Sequence, residues 1–290
     1  MRFSVRHVSK LAYASPVARA RFNLRLSPRL RDGQKLVRQE LLLSPEAVSL
    51  EDTPGPYWVS TRQVEFDKPL KTLEVASSFE IEITPPTVPT SGPSLSAVRR
   101  EALEDASLSE LAPAPYLFAS RITTMSEAIS SWGATHLQPD HDVIAAVTAL
   151  METLHAEFTY DAEATDSDTP PEESFAARAG VCQDFTHVMI MALRAQGIPA
   201  AYVSGYLLTL PPPGREKLVG ADAMHAWVEV WCGRELGWVG FDPTNNCLVS
   251  EDHISIGMGR DYADVAPIDG TFIGSAPQSM SSAVDVELVG

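Results

Sequence analysis

The sequence predicts an α+β fold in two parts, and three observations carry that prediction. From Arg2 to about Ile83, apolar and polar residues mostly alternate with period two. A proline-rich break follows between Pro85 and Ser94. Beyond it the period becomes helical, and a buried helix is then followed by three strand-like runs. The expected division is a small antiparallel β-sandwich over residues 1–84, a linker over 85–94, a second α+β domain over 95–275, and a C-terminal tail over 276–290.

Taken in order, strand-like runs occupy residues 3–8, 22–26, 35–43, 59–66 and 73–83, with turn chemistry at Asp32-Gly33 and at Pro54-Gly55-Pro56. The linker holds Pro85, Pro86, Pro89 and Pro93 and little that can pack. Helices are expected over 96–111, 124–135 and 142–157. In the third, Val143, Ala146, Val147, Leu150, Leu154 and Phe158 form a wide apolar stripe. The acidic residues between Asp161 and Glu173 lack the glycine and terminal glutamate spacing of a calcium loop, so they read as a solvated loop. A further helix opens at Cys182, with Phe185, Met189, Ala192 and Leu193 on one face, Gly197 as its left-handed cap and Pro199 beyond. Strand-like runs follow at 200–210, 223–231 and 236–242. Pro211-Pro212-Pro213-Gly214 form a loop that could border a cleft, and 232–235 a tight hairpin connection. Residues 275–290 read as a surface tail or one added strand.

The chain has 290 residues, 44% hydrophobic and 21% charged, enough for a substantial core. No apolar run is long enough to be a membrane span or a signal peptide, so a cytoplasmic location without membrane attachment is expected. Cys182, Cys232 and Cys247 are too few and too irregularly spaced for a disulfide framework or a zinc site, and no cofactor or metal is expected. Residues 1–95 carry 13 Lys and Arg against 10 Asp and Glu, while the remainder carries 9 against 28. A region that acidic repels polyanions, which argues against nucleic acid as a partner.

Cys182 lies at a helix start, where unpaired N–H groups and the positive end of the dipole favour a thiolate. A thiolate nucleophile needs a base, and the base needs a group to orient its ring. In the run 223–231, alternation places His225, Trp227, Glu229 and Trp231 on one face. Asp242, the last residue before Pro243, falls on the neighbouring strand if 223–231 and 236–242 pair as a hairpin.

Five ordered stretches now bear on identity: Gly180-Val-Cys182-Gln-Asp184-Phe, Gly197-Ile-Pro-Ala200, Val203-Ser-Gly205-Tyr206, His225-Ala-Trp227-Val-Glu229 and Gly237-Trp238-Val-Gly240-Phe-Asp242-Pro-Thr-Asn245. Together they resemble the transglutaminase-like superfamily, more narrowly its bacterial cysteine peptidases with an N-terminal β domain. The run from Gly259-Arg260-Asp261-Tyr262 to Pro267 also matches that group. The resemblance implies a papain-like α+β core, with Cys182 as nucleophile, His225 as general base and acid, and Asp242 as orienting carboxylate. It further implies that the Cys182 N–H serves as one oxyanion donor. Tyr206 and Trp227 are expected to border the substrate, Trp227 together with Trp238 as wall or core aromatics. Asp184 and His187 lie on the nucleophile helix, where His187 either reaches the cleft or makes a structural hydrogen bond. The expected reaction is hydrolysis of a peptide or protein amide through a thioester. The alternatives are acyl transfer from glutamine to an amine, and a non-enzymatic binding module that kept the fold.

Overall fold

In the computed structural model, which describes residues 1–209 and 222–290, the period-two stretch becomes six strands. They are β1 (Arg2–Val17), β2 (Ala20–Leu24), β3 (Gln34–Ser44), β4 (Ser49–Pro54), β5 (Ser60–Phe66) and β6 (Leu70–Ile83). After the linker come α1 (Leu95–Glu104), α2 (Glu127–Ala134), α3 (Val143–Glu157), β7 (Thr159–Tyr160), α4 (Pro171–Ala177), β8 (Ala179–Gly180) and α5 (Cys182–Ala195). The chain continues through β9 (Ala200–Leu207), β10 (Met224–Trp231), β11 (Trp238–Asp242), β12 (Cys247–Leu248) and β13 (His253–Gly259). It ends with α6 (Tyr262–Val265), β14 (Ile268–Phe272) and β15 (Gln278–Leu288). Leu210 and the Pro211–Gly214 loop lie outside the described residues.

Three antiparallel sheets, in the orders β15-β1-β6-β3, β14-β2-β5-β4 and β12-β11-β10-β9-β13, organise these strands, apart from the short parallel pair β7-β8. At 16 and 14 residues, β1 and β6 are long enough to serve two cores. One half packs Leu11, Tyr13, Leu73 and Val75 against Phe22, Leu24, Val64 and Phe66 of the second sheet, giving the expected sandwich. The other half packs Phe3, Val5, Phe79 and Ile81 on Tyr206, Ile254 and Ile256 of the five-stranded sheet.

The residues beyond 267 return to the N-terminal sheets: β14 pairs with β2, and β15 pairs with β1 from Phe3↔Leu288 to Tyr13↔Gln278. Of the two readings of the C-terminal stretch, the added strand is the one adopted, because Val284 and Val286 are buried in the core between the sheets. The β-sandwich is therefore built from both ends of the chain.

The helices are shorter than their periodicity suggests. α1 starts where Ser94 Oγ accepts the Ala97 N–H at 3.3 Å, and it stops at Glu104 because Asp105 turns its carboxylate onto the Ser107 N–H at 2.8 Å. α2 begins only at Glu127, capped by Ser126. α3 begins at Val143, with Asp142 Oδ1 accepting the Ala145 N–H at 3.1 Å. The acidic stretch is a loop only as far as Pro170, since Pro171 supplies the first turn of α4.

α5 is the buried helix expected, and its burial extends beyond the face of Phe185, Met189, Ala192 and Leu193 to every residue from Asp184 to Arg194. It packs against α2, α3, α4 and β10, so it is surrounded on several sides, and of the polar groups it buries, Asp184, His187 and Arg194 are hydrogen-bonded. Its end is as expected: Gly197, at φ +75°, donates to Arg194 O at 2.9 Å, and Ile198 donates to Leu193 O at 3.1 Å. Those two bonds form the 5→2 and 6→1 pair that closes a helix through a left-handed glycine.

Candidate active site

The register of the five-stranded sheet decides which side chains meet. β10 and β11 pair antiparallel with Val228↔Phe241, and β10 and β9 pair with His225↔Gly205. β13 lies on the far side of β9 with Ser255↔Gly205. Alternation then places His225, Trp227, Asp242, Gly205 and His253 on one face. The opposite face carries Ala200, Tyr202, Ala226, Val228 and Val230, buried in one core with α5, and Tyr206 and Ile254, buried with the first sheet.

Cys182 is the first residue of α5 and His225 the second of β10, and the thiol lies close enough for its hydrogen bonding and charge to act on the imidazole. His225 Nε2 bonds Asp242 Oδ2 at 2.7 Å, which leaves Nδ1 for the sulfur. Burial pulls the His225 imidazolium down, but the hydrogen bonds and charges of Asp242 and Cys182 outweigh it and raise the group to about 10.

Asp242 is 0% exposed, and burial alone would raise its pKa. Five donors oppose that. Oδ1 accepts the backbone N–H groups of Thr244 at 3.0 Å and Asn245 at 3.1 Å. Oδ2 accepts His225, Asn245 Nδ2 at 2.7 Å and His253 Nε2 at 3.2 Å. The carboxyl is held far below the usual range.

One face of the sequence-predicted set needs correction. Tyr206 does not border the site: it follows Gly205 by one residue, so it points to the other face, where it is 0% exposed and its hydroxyl bonds His7 Nδ1 at 2.8 Å. Trp227 does share the face of His225 and Asp242, but it is also 0% exposed and packs among Trp58, Tyr116 and Met258. Its ring meets the edge of His253 at 5.2 Å and lies 6.1 Å from His225, so it is a floor beneath the polar groups rather than a substrate wall. Trp238 packs on Tyr116 and donates Nε1 to Leu111 O at 2.9 Å.

Asp184 folds back so that Oδ2 accepts the Val181 N–H at 2.8 Å and the Thr165 hydroxyl at 2.7 Å. With Gln183 Nε2 donating to Ser167 O at 3.3 Å, this docks the acidic loop beside the start of α5. His187 makes the structural bond: Nε2 accepts the Tyr262 N–H at 3.2 Å, and burial lowers the ring to about 3, keeping it neutral. The run from Gly259 thereby fastens to α5. Arg194 Nη2 also donates to Arg260 O at 2.6 Å, and Asp261 accepts Ser120 Oγ at 2.6 Å and the Ile122 N–H at 2.8 Å. Tyr262 and Tyr202 lie near the thiol, each phenol raised by burial first and by the charge of Cys182 in addition.

The residues that sequence reasoning missed are His253 and the tyrosines at 160, 202 and 262. A signal existed for His253, a histidine opening a strand that is apolar but for Ser255. The atoms offered by His225, Asp242 and His253 lie within 4.8 Å of one another, a spacing that a metal ion could also bridge. The donor set argues against it: the Ser250 N–H already points at His253 Nδ1 at 3.2 Å, so Nε2 carries the proton and cannot ligate without forming an imidazolate. Cys182, Cys232 and Cys247 are all free, and burial pushes the Cys232 thiol up. Among the described residues no helix is long and apolar enough to cross a membrane.

Comparison with known proteins follows the same lines. The family model of the transglutaminase-like superfamily matches residues 131–243, and that of the bacterial transglutaminase-like N-terminal region matches residues 3–82. An uncharacterized protein of Mycobacterium tuberculosis is 32% identical over 292 residues, covering 99% of this chain and 91% of that one. A protein-glutamine gamma-glutamyltransferase of Pseudomonas aeruginosa is 35% identical over 148 residues, 50% of this chain and 20% of that protein. The crystal structure of a candidate cysteine protease from Cytophaga hutchinsonii shares the fold at a TM-score of 0.75 and 21% identity, covering 100% of this chain and 92% of that one.

Proposed function

Because the chain belongs to the transglutaminase-like superfamily and carries its bacterial N-terminal region, we propose that it is a cysteine-dependent amide hydrolase working through Cys182, His225 and Asp242. The observation that carries this reading is the position of His225, bonded to Asp242 through Nε2 and raised by the neighbouring Cys182 as well. A raised imidazolium beside the sulfur at a helix N-terminus stabilises the thiolate at neutral pH.

The thiolate attacks the amide carbonyl carbon, and the carbonyl oxygen takes the negative charge. At the first position of α5 the Cys182 N–H has no acceptor within the helix and is free to donate to that oxyanion. The tetrahedral intermediate collapses by breaking the C–N bond, and the His225 imidazolium gives its proton to the leaving amine. Neutral His225 then removes a proton from water, the hydroxide adds to the thioester, and expulsion of the Cys182 thiolate releases the acid. Asp242 stays ionised throughout and holds the ring with Nδ1 toward the sulfur.

A second reading, acyl transfer to an amine, is favoured by the acidic loop docked beside Cys182 and by the name of the Pseudomonas aeruginosa relative. A peptide pool incubated with and without an added primary amine separates the two by mass spectrometry. Hydrolysis gives new peptide termini or free acids regardless of amine, whereas transfer gives amine adducts. Cys182→Ala abolishes either product, and activity surviving that substitution refutes the mechanism.

A further inference from the structure

We infer that His253 is a positioning residue of this site, a fourth member that fixes the Asp242 carboxylate from the side opposite His225. The inference rests on the reading of Cys182 and His225 as an ion pair. Its own basis is a chain of donors that runs in one direction. The Ser250 N–H points at His253 Nδ1 at 3.2 Å, with the Ser250 hydroxyl 3.3 Å away, so Nδ1 is an acceptor and the ring proton sits on Nε2. Nε2–H then donates to Asp242 Oδ2 at 3.2 Å.

The fold makes room for this contact. Gly205 stands between His225 and the start of β13 in the register, and the side-chain face above it is taken by others. A Cβ on Gly205 would lie 2.4 Å from Trp227 Cη2 and 2.3 Å from Ile254 O. With only hydrogens there, the rings of His225 and His253 approach to 6.2 Å across β9, and the Trp227 edge supports His253 from below. His253 is 5% exposed, so it is sealed from solvent and positioned to act on Asp242 rather than on a substrate.

The physical consequence concerns rotation about the Asp242 Cβ–Cγ bond. The two backbone N–H groups hold Oδ1, and Asn245 and His253 hold Oδ2 as well, so the lone pair facing His225 is fixed in direction. Without His253 the carboxylate regains freedom, the His225 ring loses its aim at the sulfur, and less of the thiol is ionised.

The test compares His253→Leu, which keeps apolar bulk but removes the donor, with His253→Gln, which keeps an N–H. Iodoacetamide labelling of Cys182 is followed by peptide mass spectrometry at about pH 6, where a free thiol with a pKa of about 8.5 is mostly unreactive. The Leu variant is expected to label roughly tenfold more slowly than the unsubstituted protein, and the Gln variant to recover most of the rate, the scale of one hydrogen bond to a charged group. A Leu variant that labels as fast or faster overturns the inference, as does a Gln variant no better than Leu. An unsubstituted protein that itself labels like a free thiol defeats the ion-pair reading, whereas a fast unsubstituted protein with an unchanged Leu variant defeats only the role of His253. Nitrogen NMR of the unsubstituted protein decides the matter where the Leu variant does not fold: a proton on His253 Nε2 is expected, and one on Nδ1 overturns the inference.

Discussion

Replacing Asp242 by asparagine is the perturbation whose consequences follow most fully from the geometry. The side chain keeps its shape, so packing is untouched, but an amide has one acceptor oxygen and one NH2 group. In one orientation the NH2 group faces the backbone N–H groups of Thr244 and Asn245; in the other it faces His225, His253 and the Asn245 side chain. Donors oppose donors either way. At the same time the anion that lifts His225 against burial is gone, so the imidazole becomes neutral near pH 7 and the thiolate loses its counter-charge. Losing one hydrogen bond to a charged group costs roughly 1.5–3 kcal/mol, or about 10- to 150-fold in the population of the ion pair. The assay is the labelling rate of Cys182 at about pH 6, resolved by peptide mass spectrometry from Cys232 and Cys247, with a thermal melt as the control for folding. An Asp242→Asn protein that folds and labels at the unsubstituted rate refutes the claim that Asp242 sustains the ion pair.

Three further outcomes are expected. Gly205→Ala places a methyl group within 2.4 Å of both a ring and a backbone carbonyl; overpacking of that kind costs about 1–3 kcal/mol and displaces the histidines, so both the melting temperature and turnover fall together. Removing residues 278–290 deletes β15 and uncovers the cores around Val284 and Val286; at about 1.5–3 kcal/mol for each buried valine, the truncated chain is expected to lose most of its cooperative melt by circular dichroism. His7 and His187 are lowered by burial to about 4 and about 3. Both folded values lie below the unfolded 6.5, so the stability they contribute is present above pH 6.5 and drains away as pH falls toward 4; urea midpoints measured across that window should decline, and His7→Gln should flatten the decline.

The part of the site that a reader of the sequence can place is the part set by local pairing. The short connection after Trp231 announces the hairpin, and although its strands pair as Trp231↔Trp238, two residues later than the run beginning at Leu236 suggests, a shift of two keeps Asp242 on the face of His225. Helix chemistry likewise gave the start of α5 at Cys182 and its closure at Gly197. Most of the failures concern contacts between elements distant in the chain. Tyr206 sits in a conspicuous stretch, but which face it takes depends on β9 being covered by the first sheet, and His7, its partner, is 199 residues away. His253 reaches Asp242 only because β13 inserts on the far side of β9, an order that no local pattern specifies. The added strand β15 alternates visibly at Ala283-Val-Asp-Val-Glu-Leu288, yet its partner is the first strand of the chain. α1 was overextended because the apolar spacing continues past Asp105, while the side chain of that residue captures the backbone and ends the helix.

The most direct test of the whole account is the ionisation of Cys182 itself. Thiolate ultraviolet absorbance, taken as the difference between the unsubstituted protein and Cys182→Ser, is followed as a function of pH. The ion pair with His225 predicts that the signal is already present at about pH 6 and persists below it. A signal that appears only with a midpoint near about 8.5, the value of a free cysteine, contradicts the account.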